Sequence, residues 1–402
     1  MEKKYIDIFS GCGGLAYGLR QSGWEILFAI EKNPDAFSTL EKNVLYNIRE
    51  AWPDWLKYAA NDINDVCKTS KKELKQYKGK VMLVAGGPPC QGFSSAGQRN
   101  ENDVRNKLVD SYLEFVDLVK PEMIFFENVR GFTMPFTISE NVQKCYSNYI
   151  VAQLKKRKYH VDFRIINFSD FGVPQSRNRF ILFASKKGRP AEFFEILYDG
   201  RENFLKQHDL EQYVSVQDAI SDLLKKNGQT ICPDSKGFYA GKYGVINSKY
   251  QRYMRKNAIG DVPNSHRFAK HKKETEKRFM QMISEEECNK NLSKIMMKKY
   301  GVKKNCISIF DRNLASPTIT THPDDHVHYE EPRILTVREY ARLQSFPDDF
   351  EFKGKYTTGG KRRKVEVPRY TQVGNAIPPL FAEQVGIAID KYMHKCIIAN
   401  SN

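Results

Sequence analysis

A cysteine at position 90 lies in the run Gly86-Gly87-Pro88-Pro89-Cys90-Gln91-Gly92-Phe93-Ser94, directly after the apolar stretch Val81-Met82-Leu83-Val84-Ala85. Five apolar residues bounded by glycines read as a buried strand, which presents the thiol at a strand's carboxyl end, where open α/β sheets hold their ligands. A second apolar run, Met123-Ile124-Phe125-Phe126, delivers Glu127 and Asn128 in the same manner. A thiol nucleophile and a proton-carrying carboxyl, each at a strand tip, are the parts of one shared active site. Pro88 and Pro89 fix the approach to Cys90, while Gly92, Ser94, Ser95, Ala96 and Gly97 compose a loop able to move.

The amino-terminal segment carries the pattern of a ligand site. Gly11-Cys12-Gly13-Gly14 follows a strand and opens a helix with the spacing Gly11-x-Gly13-x-x-Ala16, so bare amides and the helix's positive end face whatever binds there. Glu31 follows Gly11 by 20 residues, at the tip of a second strand, a spacing that suits a carboxylate accepting hydrogen bonds from ribose hydroxyls. Asp62, at the end of a third strand, is placed to accept a bond from an adenine amino group, and Phe9 either covers the adenine ring or packs in the core. The glycine spacing also suits NAD, but a nucleophilic thiol has no use in hydride transfer. Further on, Gln175-Ser176-Arg177-Asn178-Arg179 leads into Phe180-Ile181-Leu182-Phe183-Ala184, and period-two spacing puts Gln175, Arg177 and Arg179 on one face.

The elements that must hold these residues alternate in type over the first 185 residues, the pattern of a doubly wound α/β sheet. Strand-like runs fall at 5–9, 24–30, 81–85, 123–126, 161–166 and 180–184, with a short helix at 15–21. Leu108, Tyr112, Phe115, Val116 and Val119 recur at helical spacing until Pro121 stops them. Beyond Ser185 the alternation fades and glycines and lysines rise. It returns where Pro378-Pro379 opens a helix with Phe381, Val385, Ala388, Ile389 and Tyr392 on its inner face. The expected division is a catalytic and cofactor-binding domain, 1–187 with 368–402, and a smaller loop-rich domain, 188–367.

The chain of 402 residues is 41% hydrophobic, with a mean hydropathy of −0.58. It has no apolar stretch near the roughly 18 residues of a membrane span and no signal-like start, so a cytoplasmic protein without a membrane anchor is expected. Eight cysteines lie scattered, with no CxxC pair and no His/Cys cluster at metal spacing, which supports neither disulfides nor a metal site. His322, His326 and His328 match no standard ligand set and read as loop packing or a polymer contact. The formal charge is +16, and residues 241–304 carry 17 Lys+Arg against 6 Asp+Glu, interleaved with Tyr243, Tyr250, Tyr253, Phe268 and Phe279. Such a segment is the footprint of a phosphate-backbone partner or an ordinary solvated lysine-rich face.

Taken together, these residues resemble the DNA (cytosine-5) methyltransferases of the stand-alone restriction–modification type, in order and over nearly the full length. The matching blocks are Asp7-Ile8-Phe9-Ser10-Gly11-Cys12-Gly13-Gly14-Leu15, the Gly86 to Ser94 block, Glu127-Asn128-Val129 and Gln175-x-Arg177-x-Arg179. Arg338-Glu339-Tyr340-Ala341-Arg342-Leu343-Gln344-Ser345-Phe346-Pro347 and Gln372-Val373-Gly374-Asn375-Ala376-Ile377-Pro378-Pro379 complete them. The resemblance implies a Rossmann-like sheet that uses S-adenosylmethionine, closed by the C-terminal helix, with an inserted target-recognition domain. It implies donor binding by Phe9, Gly11, Gly13, Gly14, Glu31, Asp62, Pro89 and Asn375, and catalysis by Cys90, Glu127, Arg177 and Arg179. Arg338 and Glu339 are expected to form an ion pair inside the smaller domain. Double-stranded DNA is the expected substrate, a cognate restriction endonuclease the functional partner, and the enzyme a monomer.

The chemistry follows from cytosine, whose C5 is a poor nucleophile. Addition of a Cys90 thiolate to C6 breaks the aromaticity and makes C5 enamine-like, able to attack a sulfonium methyl. Charge arriving on N3 and O2 calls for a proton shared with Glu127 and a cation, Arg179, at O2 with Arg177 beside it. Glu127 must then hold a proton near neutral pH, which desolvation at an apolar strand tip would supply. A stacked base is out of reach, so the cytosine must rotate out of the duplex, with the loop 92–105, including Gln98, Arg99 and Arg105, closing over the DNA. A cytosine-5 methyltransferase acting on tRNA would share most of these motifs, whereas a catalytically silent DNA-binding regulator would need none of the four catalytic residues.

Overall fold

Three apolar runs form the middle of the structure because each is buried on both faces. In the computed structural model, which describes residues 2–89, 107–139, 142–285, 287–302, 306–359, 362 and 366–398, these runs become adjacent parallel strands. Strand β1 (Lys4–Ile8) buries Tyr5, Ile6 and Ile8, β3 (Leu83–Gly86) is buried throughout, and β4 (Met123–Val129) buries its first four residues. Strands apolar on both sides require helices above and below. Those helices are α1 (Gly14–Gln21), α2 (Pro34–Leu40), α3 (Ile63–Thr69), α4 (Lys71–Lys75), α5 (Lys107–Val119) and α6 (Tyr146–Lys156). With β2 (Glu25–Ile30), β7 (His160–Asn167) and β8 (Asn178–Ser185), the sheet has the order β2-β1-β3-β4-β8-β7; β8 runs antiparallel to both neighbours. A small hairpin, β5 (Phe136–Ser139) with β6 (Val142–Lys144), follows β4. This is a doubly wound α/β fold.

Two local expectations change. No strand ends at Asp62; its carboxylate accepts the Asn64 amide at 2.9 Å and caps α3, a task for which short acidic side chains are favoured. The preceding loop still reaches the tip of β2, where the Asn61 amide donates to the Glu31 carbonyl at 2.8 Å. Strand β8 begins at Asn178, so the alternation that would align Gln175 and Arg177 with Arg179 does not extend to them.

The chain divides into two compact units, Met1–Asn167 with Asn178–Arg201 and Ala382–Asn402, and Phe168–Arg177 with Glu202–Phe381. The expected boundaries at 187 and 367 fall short at both ends. After 187, α7 (Pro190–Gln207) still packs on the sheet, with Phe193 stacked on Phe183 at 4.2 Å. After 367, α13 (Arg369–Asn375) bonds to its own unit: Arg369 donates to the Gly354 carbonyl at 3.0 Å and Gln372 to that of Lys353 at 3.0 Å. The latter part of α14 (Pro379–Met393) returns to the first unit. There the Trp24 indole donates to the Gly386 carbonyl at 3.0 Å and Lys3 pairs with Asp390 at 2.7 Å.

Among the described residues the second unit has only short pairs, β9 (Gln229–Ile231) with β10 (Tyr239–Gly241) and β11 (Ser308–Ile309) with β12 (His326–Val327). Its further helices are α8 (Val216–Ile220), α9 (Lys249–Met254), α10 (Lys273–Glu285), α11 (Lys294–Lys299) and α12 (Val337–Leu343). Around α12 the interior is charged, and its buried arginines and acids have charged or carbonyl partners, which makes buried ions tolerable. Arg342 holds Asp348 at 2.6 Å and Asp222 at 3.2 Å. Arg338 and Glu339 do not pair with each other: Arg338 donates to the carbonyls of Asn264, Pro347 and Phe350, while Glu339 binds Arg333 at 2.6 Å and closes a capping box with Thr336. Neighbouring residues on a helix point in different directions, so adjacency in sequence does not favour contact.

Two buried histidines belong to this interior. Nδ1 of His328 accepts the amides of Glu330 and Glu331 at 3.1 and 3.2 Å, and His266 bonds the Thr336 hydroxyl at 2.8 Å. Burial brings His266 down to about 4 and His328 to about 3. The fold therefore binds the neutral rings, and the stability they contribute is complete above their ordinary range and declines as pH falls. Below about pH 6.5 the unfolding free energy should drop by about 1.4 kcal/mol per pH unit for each ring. Urea unfolding between pH 7.5 and pH 5 measures this; H328N should flatten the slope, and an unchanged slope contradicts the assignment.

Candidate active site

The carboxyl ends of β1, β3 and β4 approach more closely than side chains allow. Gly86 has φ +135°, and a Cβ there would lie 1.8 Å from the Ile8 carbonyl oxygen; at Gly87 it would lie 2.1 Å from that of Glu127. The Asn128 side-chain amide donates to the Pro88 carbonyl at 3.2 Å, so the chain leaving β3 is tied to the tip of β4. Pro89 is exposed at the end of this segment. Cys90, Gln98, Arg99 and Arg105 lie outside the described residues.

Glu127 meets a cation at that tip. Glu127 stands opposite Ile181 and Val129 opposite Arg179, so Glu127 and Arg179 are diagonal neighbours on one sheet face, within reach of long side chains. The Arg179 Nε lies 3.0 Å from a Glu127 carboxylate oxygen, and both side chains are largely buried. A guanidinium thus stands beside Glu127, at a strand tip where apolar surroundings were expected. Arg177 has other partners: its guanidinium donates to the carbonyls of Gly374 at 2.8 Å and Ile319 at 3.3 Å, within the second unit.

On the other side of β1, the turn 9–13 is built from unusual backbone. Phe9 has φ +58°, strained for a bulky residue, and Gly11 and Gly13 have φ +56° and +93°. A Cβ at Gly13 would meet Leu40 at 2.6 Å, whereas at Gly11 it would project into open space. Gly14 is buried at the start of α1. Glu31 accepts the amides of Gly11 at 2.8 Å and Asn33 at 2.7 Å. Burial raises its carboxyl, against the pull of those amides. Asp7, fully buried in β1, has no hydrogen-bond partner on either carboxylate oxygen among the described residues, and burial followed by the Glu31 charge pushes it well above the usual range. Partial burial works against ionisation of Asp62 as well, yet Lys32 at 2.6 Å, with Asn64, holds that carboxyl below its usual range. Burial pushes the Cys12 thiol up to about 12, so it is no nucleophile despite its place in the turn.

Asn375, the last residue of α13, is exposed, and its side chain makes no hydrogen bond among the described residues. The expected donor carries ribose hydroxyls, an adenine amino group and an ammonium. Open space beside Gly11 and acceptors at Glu31 and Asp62 fit such a group. Sequence reading passed over Asp7, whose signal is an acid inside the apolar run Tyr5-Ile6-Asp7-Ile8. It also passed over the hold of Asn128 on Pro88. Among the described residues no group of three or more His, Cys, Asp or Glu side chains could hold a metal; His326 and His328 are buried and His322 is exposed.

Comparison with known proteins agrees with this geometry. The profile of the C-5 cytosine-specific DNA methylase family matches residues 3–391, and the chain belongs to that family. It is a cytosine-5 DNA methyltransferase and uses a methyl donor. It is 29% identical to the Type II methyltransferase M.DdeI of Desulfomicrobium norvegicum over 99% of this chain and 91% of that one. It is likewise 29% identical to the Type II methyltransferase M1.HphI of Haemophilus parahaemolyticus, over 97% of this chain and 87% of that one. A solved structure described as a DNA modification methyltransferase encoded within an E. coli prophage shares the fold, with a TM-score of 0.66 at 21% identity, covering 98% of this chain and 99% of that one. No described helix is long and apolar enough to cross a membrane.

The glycines separate structural from ligand roles. Gly86→Ala sets a Cβ against backbone and should destabilise the protein by about 3 kcal/mol or more. Gly11→Ala meets only the positive φ, costing about 1–2 kcal/mol, but intrudes on the donor's space and should weaken donor binding at least about tenfold. Thermal melts with donor titration calorimetry check both; wild-type donor affinity in Gly11→Ala would contradict the site.

Proposed function

We propose that this enzyme transfers the methyl group of S-adenosylmethionine to C5 of a cytosine within a specific double-stranded DNA sequence, through a transient bond between Cys90 and C6 of a base rotated out of the helix. The observation that carries this reading is the Glu127–Arg179 pair on the tip of β4, beside the segment that runs from Pro88 into Cys90. Cys90 adds to C6 as a thiolate. Entry of the base draws Arg179 from the carboxyl toward O2 and leaves Glu127 more enclosed, which favours its protonated form and a proton shared with N3. Arg177 is assigned to the same catalytic group as the other arginine of the Gln175-x-Arg177-x-Arg179 block.

Phe9, Gly11, Gly13, Gly14, Glu31, Asp62, Pro89 and Asn375 hold S-adenosylmethionine. Glu31 accepts from the ribose hydroxyls, Asp62 accepts from the adenine amino group in exchange for Lys32, and Phe9 lies against the ring. When bound, S-adenosylmethionine supplies an electrophilic methyl group on a sulfonium, which C5 takes once Cys90 has made it electron-rich. Loss of the C5 proton and expulsion of Cys90 then restore the pyrimidine.

The target-recognition function falls to the second unit, expected at 188–367, whose basic segment 241–304 faces phosphates and base edges. Gln98, Arg99 and Arg105 contact DNA from the loop 92–105. The Type II names of the relatives support a role in restriction–modification. A cognate endonuclease as functional partner, a monomeric state and a cytoplasmic location belong to the same proposal.

Incubation with labelled methyl donor, mixed duplex DNA and tRNA, followed by base-resolution mapping, tests the reading. We expect 5-methylcytosine in one DNA sequence context; methylation confined to tRNA overturns the substrate assignment. C90S should lower turnover by at least about 10³-fold with donor affinity retained.

A further inference from the structure

Gln175 and Gln344 are fully buried in the second unit and bonded to each other, with Gln175 Nε2 donating to Gln344 Oε1 at 2.8 Å. Their remaining groups go to main chain. Gln175 Oε1 accepts the Ile319 amide at 3.0 Å, and Gln344 Nε2 donates to the carbonyls of Val373 at 2.9 Å and Ala376 at 3.1 Å. Arg177 adds the Gly374 carbonyl at 2.8 Å. Carbonyls 373, 374 and 376 flank Asn375 on both sides. A seven-residue helix leaves its last carbonyls without intrahelical partners, and here buried side chains take them. Gly374 lies tight against its surroundings, since a Cβ there would come within 2.7 Å of the Thr320 carbonyl oxygen. Asn375, by contrast, is exposed, and its side-chain amide has no hydrogen-bond partner among the described residues. Two buried amides are a costly way to fill space that apolar side chains would fill more cheaply, but they fix backbone orientation as apolar packing does not.

We propose that Gln344, with Gln175, is a positioning residue for Asn375: the amide pair locks the end of α13 so that the Asn375 side chain is preorganised for the methyl donor. This rests on the donor-binding role proposed for Asn375. A side chain held in its bound orientation binds more tightly because less freedom is lost on binding.

The test uses the full chain and S-adenosylmethionine titration calorimetry on wild type, Q344M, N375A and the double variant, with thermal midpoints and duplex binding measured without donor. Q344M removes the amide with little change in volume. We expect Q344M to weaken donor binding about tenfold, with duplex affinity unchanged. In the N375A background the same change should add less than about twofold, because the amide pair acts through Asn375. Rescue of donor affinity in Q344M to the wild-type value, or full additivity with N375A, overturns the inference while leaving the donor site standing. Wild-type affinity in N375A overturns the role of Asn375 itself and the inference with it. If Q344M does not fold, Q175M, which removes the other half of the amide pair, takes its place with the same expectations.

Discussion

Three backbones converge at the carboxyl end of the central sheet with no room for a side chain between them, and the placement of the candidate catalytic groups follows from that contact. Gly86 lies against the carbonyl of Ile8 and Gly87 against that of Glu127. The donor turn after β1, the segment leading to Cys90 after β3 and Glu127 on β4 are therefore held side by side by main-chain packing, which has fewer ways to relax than side-chain packing. Lengthening either glycine by one carbon would force these strand tips apart.

The first unit keeps its centre apolar. Asp7 and Glu31 are two acids in or beside its buried strands, one with no hydrogen-bond partner among the described residues and one held by backbone amides. The second unit works differently. With few long elements, it orders its interior through Arg333–Glu339, Arg342–Asp348–Asp222 and the Gln175–Gln344 pair. Directional bonds of this kind specify one arrangement where loops would otherwise have several, and the buried neutral histidines tie that arrangement to pH.

The strand tips of this edge were readable in the chain because they depend on local signals: an apolar run that stops at glycine or acid marks a strand tip, and the spacing from Gly11 to Glu31 marks two of them. Long-range features left no such trace. The Glu127–Arg179 pair depends on the register between β4 and an antiparallel β8, and Gln175 meets a residue 169 positions away. Asp62 was misplaced on a strand because a capping acid and a strand-end acid look alike until the following helix is seen. Arg338 and Glu339 were joined because they are neighbours in sequence, although helical geometry sends them to different partners. The unit boundaries shifted because α7 and α13 pack by contacts that composition does not reveal.

The central claim is that Cys90 adds to a cytosine held by Glu127 and Arg179, and trapping tests it most directly. A duplex carrying 5-fluorocytosine at the target position cannot lose its C5 substituent as a proton, so the enzyme with S-adenosylmethionine should become covalently joined to the DNA. The account predicts a stable adduct through Cys90 that forms at least about 100-fold more slowly in E127Q and R179A. Active enzyme that yields no adduct, or adduct formation indifferent to Glu127 and Arg179, would contradict it.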